Sequence, residues 1–130
     1  MKYWLSGSLF QYVFNGHKLE PGEQYTLIYY PDPWPGTGLI CLGSATANKY
    51  GEIHIKAAAD IDTDLPIPAD LNNPENPGHE TCVSGSTCIE GAKIWLVLSS
   101  DVDCNGRAMV GWDAEEYLFE DVGIFFDYIP

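Results

Sequence analysis

The residues with the clearest chemistry are carboxylates at alternating spacing. Asp101-Val102-Asp103-Cys104-Asn105-Gly106 matches D-x-D-x-[DN]-G, the first half of a calcium loop. In such a loop Asp101, Asp103 and Asn105 turn side-chain oxygens toward one ion, and the glycine permits the sharp bend. The twelfth loop position holds Trp112 instead of a bidentate glutamate, so the loop is not of EF-hand type; Asp113, Glu115 or Glu116 would have to return a carboxylate from the next segment. Asp60-Ile61-Asp62-Thr63-Asp64 repeats the alternation without the glycine. If extended, Asp60, Asp62 and Asp64 face one side, where like charges repel unless a cation sits among them. A hard, oxygen-preferring cation is therefore the expected cofactor, and calcium is the abundant one outside cells. The alternative is that both segments are solvated acidic loops.

A second candidate site is aromatic. In Tyr29-Tyr30-Pro31-Asp32-Pro33-Trp34-Pro35-Gly36 three prolines stiffen a loop that can present Tyr30 and Trp34 as a platform for a sugar ring or an apolar partner. Trp112, beside the acidic loop, extends such a surface. The competing reading puts Trp34 over one open end of a core. No catalytic constellation stands out: His17, His54 and His79 are scattered, and neither H-E-x-x-H nor G-x-S-x-G occurs. No enzymatic activity is expected.

Four cysteines form an even set, as two structural disulfides in an oxidising compartment would require. Four thiols allow three pairings. Cys82 and Cys88 flank a short flexible segment, which favours that pair and leaves Cys41 with Cys104. A four-cysteine zinc site competes, although it usually presents two close pairs. Residues 1–14 are interrupted by polar groups and lack the apolar run of a secretory leader, so either Met1 stands where a leader was removed or the chain is cytosolic. No run of 18 apolar residues occurs, and membrane insertion is not expected.

The elements that must position these groups read as strands. With 130 residues and 45% hydrophobic content the chain suits one domain, 1–130. Its net charge of −13 disfavours nucleic acid and anionic surfaces as partners. Alternating, β-branched and aromatic runs predict strands over 3–14 (split around Gly7), 24–30, 38–46, 52–58, 92–99 and 117–128. Asn15-Gly16 reads as a turn, and 47–51 as the loop of a hairpin. Ile94, Leu96 and Leu98 alternate with Trp95 and Val97, so that strand should be central and covered on both faces. The acidic, Pro-rich stretch 60–90 reads as a long loop, its far end tied by Cys82 and Cys88.

Leu19-Glu20-Pro21-Gly22-Glu23-Gln24-Tyr25-Thr26 resembles the L-x-P-G-x-x-Y-T corner of fibronectin type III and related immunoglobulin-like sandwiches. The resemblance implies an immunoglobulin-like antiparallel β-sandwich in which the Tyr25 hydroxyl bonds back to the corner backbone. More loosely, residues 25–36 (YTLIYYPDPWPG) are similar to small uncharacterised secreted proteins of prokaryotes. Together these readings predict an extracellular or cell-surface structural or adhesion module, stabilised by disulfides and calcium. A carbohydrate-binding module using Trp34 and Trp112 is one alternative. A self-assembling subunit of a surface filament, joined through edge strands, is another. The expected partner is a protein or glycan at a cell surface.

Overall fold

The computed structural model describes residues 1–31, 38–65, 80–82, 88–90, 92–120 and 124–130, and among them every long element is a strand. β3 (Phe10–Gly16) shows the alternation of its sequence, with Phe10, Tyr12 and Phe14 buried and Gln11 and Asn15 exposed. It pairs antiparallel with β6 (Ile53–Ala59) along its whole length and, on its other side, with the short β1 (Lys2–Tyr3). A second antiparallel sheet runs in the order β12 (Leu118–Phe119), β9 (Lys93–Leu98), β4 (Gln24–Tyr30), β5 (Ile40–Thr46). β9 is interior to it, as its doubly apolar pattern requires.

The two sheets pack face to face. Phe10, Tyr12, Phe14 and Ile55 from the first share one core with Tyr25, Leu27, Tyr29, Ile94 and Leu96 from the second. The C-terminal segment closes the side of this core. Phe126 bridges to Leu65 and meets Phe10 edge-on at 5.1 Å, a geometry worth about 0.5–1.5 kcal/mol beyond its buried area. Beyond it, β13 (Asp127–Tyr128) runs parallel to β2 (Ser6–Gly7).

The corner before β4 is a tight turn tied to the tyrosine that follows it. Pro21 and Gly22 (φ +84°) form a turn closed by Glu23 N–H donating to the Glu20 carbonyl at 3.2 Å, and the buried Tyr25 hydroxyl accepts the Glu20 N–H at 3.0 Å.

Four expectations need correction. Asn15 and Gly16 are not a turn; they continue β3 opposite His54 and Ile53. Gly16 is there for close packing, since a Cβ would lie 2.8 Å from a Leu118 methyl carbon. Residues 47–51 do not close a hairpin, because β5 and β6 belong to different sheets. Instead this connection bonds to the Tyr25 corner: Ala47 N–H donates to Glu23 O at 2.9 Å and Leu19 N–H to Gly51 O at 2.9 Å. Among its described residues the 117–128 stretch forms two short strands, β12 and β13, in different sheets. Finally, the 60–90 stretch is not all loop: β7 (Glu80–Cys82) and β8 (Cys88–Glu90) form a ladder with Cys82 opposite Cys88. The side chains of that pair, and with them the Cys82–Cys88 bridge, lie outside the described residues.

Candidate binding surface

The outer face of the four-stranded sheet carries the residues that alternate with the core. Ile28 and Tyr30 of β4, and Trp95 and Val97 of β9, point away from it and begin a second, smaller cluster. A hairpin of β10 (Val102–Asp103) and β11 (Ala108–Met109) folds over this face, and Val102, Met109 and Tyr117 complete the cluster with Leu39. The Cys41–Cys104 disulfide, expected from the cysteine spacing, staples the hairpin to β5. Arg107 adds a clamp, donating from Nε to Leu39 O at 3.0 Å and from Nη2 to Gly38 O at 2.9 Å, while its own carbonyl accepts the Gly38 N–H at 2.9 Å.

Where the hairpin ends, this outer cluster opens to solvent as an aromatic shelf. Trp95 stacks on Tyr30 with ring centres 3.9 Å apart, meets Phe119 edge-on at 5.1 Å, and lies 5.6 Å from Trp112. Tyr117 meets Trp112 edge-on at 5.3 Å. Trp112 and Phe119 are 49% and 43% exposed, whereas Tyr30 is buried beneath Trp95 and supports the shelf from below. Trp34 lies outside the described residues. Trp95 was legible as an outward residue of a central strand; Phe119 was not, because only the β12–β9 register sets it opposite Trp95.

The buried Asp101 fastens the chain on both sides of Trp112. Its carbonyl accepts N–H bonds from Val110 at 2.8 Å and Gly111 at 3.1 Å, and its carboxylate Oδ2 accepts the Tyr117 hydroxyl. That hydroxyl in turn accepts the Asp113 N–H at 3.0 Å. A Cβ on Gly111 would lie 2.4 Å from Asp101 Oδ1, so only glycine permits this approach. The hydrogen bond and charge of the neighbouring Asp101 hold the Asp113 carboxyl above the ordinary range. Burial, then the Asp101 carboxylate, push the Tyr117 hydroxyl upward.

Of the remaining candidate ligands, Asp103, Asp62 and Asp64 have partners of their own, and Asn105 and Asp60 are exposed. Asp103 Oδ1 accepts the Gly106 N–H at 3.0 Å and so shapes its own turn, with Asn105 exposed beside it. Asp64 Oδ1 accepts the Tyr128 N–H at 2.8 Å, and the Tyr128 hydroxyl bonds to Asp62, whose carboxylate raises its pKa. Asp60 lines a hollow with Arg107 and the Cys41–Cys104 bridge. Among the described residues no three His, Cys, Asp or Glu side chains are grouped to hold a metal ion, so the donor set on which the calcium expectation rests is not assembled there. Of the histidines, His54 Nδ1 lies 2.6 Å from Asn15 Oδ1 and His17 Nδ1 lies 3.5 Å from Glu52.

Comparison of the chain with family models, curated proteins and solved structures finds no match.

Proposed function

We propose that this chain is an extracellular or cell-surface binding module of immunoglobulin-like architecture, and that the aromatic shelf is its recognition surface. One observation carries the reading. The fold buries Tyr25, Tyr29 and Phe10 completely, yet leaves Trp112 and Phe119 about half in water while bracing both against Trp95 and Tyr117. Large aromatics held rigid at a surface lose little conformational freedom on binding and are typical interface anchors. The Tyr25 corner and the two packed sheets support the immunoglobulin-like assignment. The Cys41–Cys104 disulfide supports an oxidising compartment. No helix among the described residues is long and apolar enough to cross a membrane.

A carbohydrate-binding reading uses the same shelf, because an indole next to the exposed carboxylate of Asp113 offers both a stacking face and a hydrogen-bond acceptor to a sugar. The test applies fluorescently labelled protein to intact cells and to an array of neutral oligosaccharides, with the Trp112→Ala/Phe119→Ala double variant alongside. Retention on either target should fall by about tenfold or more in the double variant, as loss of hot-spot aromatics does. Equal retention by a folded double variant would move recognition off the shelf.

A further inference from the structure

The charges around the shelf select among partners. Trp112 is followed directly by Asp113, which is exposed, and the field of the neighbouring Glu115, also exposed, reaches the Asp113 carboxyl. Asp101 lies buried beneath them. Lys93, the basic residue of β9, is itself buried at 3% exposure and presents no charge at the surface. The shelf is therefore aromatic with a negative rim on its Trp112 side, on a chain of net charge −13, while Lys18 and His17 line a hollow with Phe119 at its other end. A second copy of this chain would bring the same sign of charge, and a sulfated or uronic glycan would be repelled. A neutral surface would leave Asp113 and Glu115 without counter-charge.

Accepting the shelf as the recognition surface, we propose that its occupant is an arginine-bearing segment of a partner protein, with a guanidinium over Trp112 and Phe119 and its N–H groups turned to Asp113 and Glu115. Guanidinium suits the site better than ammonium. It is planar and weakly hydrated, so it stacks on an indole while its edge donates to carboxylates. The rim steers such a segment in, and the rings hold it.

The experiment measures fluorescence anisotropy of a labelled synthetic peptide of alternating Arg and Gly. Its citrulline counterpart, which keeps the planar shape but loses the charge and replaces one donor edge with a carbonyl, serves as the control. The Arg peptide should bind at least about tenfold more tightly than the citrulline peptide, and this margin should shrink as salt is raised. Trp112→Ala, and Phe119→Leu as a milder second variant, should each weaken the Arg peptide severalfold. Asp113→Asn/Glu115→Gln should flatten the salt dependence. Equal binding of the two peptides, lost together in Trp112→Ala, would overturn the arginine assignment and leave the shelf standing. Arg-peptide binding indifferent to both aromatic variants would mean diffuse attraction to an acidic chain and would overturn the arginine assignment and the shelf alike. A neutral oligosaccharide that displaces nothing else but binds in a Trp112-dependent way, with no Arg-peptide binding, would assign the shelf to glycans instead.

Discussion

The hydroxyl of Tyr117 donates to the carboxylate of Asp101 across 16 residues of chain, and the same oxygen accepts the Asp113 N–H, so one buried phenol joins both ends of the segment that carries Trp112. Tyr117→Phe removes that link without changing the ring. It should cost about 1–3 kcal/mol, because a buried carboxylate oxygen and a backbone donor each lose a partner. Chemical denaturation measures the loss, and acrylamide quenching should show Trp112 more accessible. Unchanged stability would mean that Asp101 is satisfied without Tyr117.

Asp113 makes stability depend on pH. Its carboxyl is held above the ordinary range, first by the hydrogen bond to Asp101 and then by that group's charge. Between its unfolded and folded pKa values the folded state holds more protons, so stability falls as pH rises through that window and is fully present below it. Melting curves of wild type and Asp113→Asn on a pH series should therefore converge toward acid, with the wild type losing ground to the variant as pH climbs toward neutrality. Parallel curves would contradict a raised Asp113 carboxyl.

Tyr12 carries a buried hydroxyl with no hydrogen-bond partner among the described residues, its pKa pushed up to about 12 by burial. The hydroxyl occupies the space that a side chain at Gly43 would need, since a Cβ there would lie 2.3 Å from it. Tyr12→Phe should therefore be neutral or stabilising by about 1 kcal/mol. Gly43→Ala alone should destabilise by about 1–3 kcal/mol through overpacking. The double variant should recover part of that cost, so a double-mutant cycle by denaturant titration should be non-additive. Strict additivity would refute the contact.

The Cys41–Cys104 bridge spans 63 residues. By loop entropy, closing a loop of that length contributes about 4 kcal/mol. Cys41→Ser/Cys104→Ser should lose most of this in thermal or chemical unfolding. The β10–β11 hairpin should loosen first, since the hydrogen bonds of Arg107 to residues 38 and 39 and the packing of Val102 and Met109 then hold it without a covalent tie. Hydrogen exchange at Ala108 and Met109, compared with β4, measures that order; equal protection would argue against it.

Strand identity was legible wherever a pattern had one physical cause. β4 falls on residues 24–30 as expected, because an unbroken apolar run follows a Pro-Gly turn, and the Tyr25 hydroxyl bonds to Glu20 within five residues of chain. The Cys41–Cys104 pairing was also within reach, since cysteine parity and one short spacing narrow three pairings to one. What depends on partners distant in sequence was not legible. Gly16 looks like a turn glycine until Leu118 and Ile53 pack against its missing side chain. Asp101 reads from its spacing as one of a row of alternating carboxylates, and spacing cannot show that its Oδ2 accepts the hydroxyl of Tyr117, 16 residues away. The shelf itself is a tertiary product. Trp95, Trp112 and Phe119 share no local motif, and they meet only because the β12–β9 register and the stapled hairpin bring three separate stretches onto one face of the sheet.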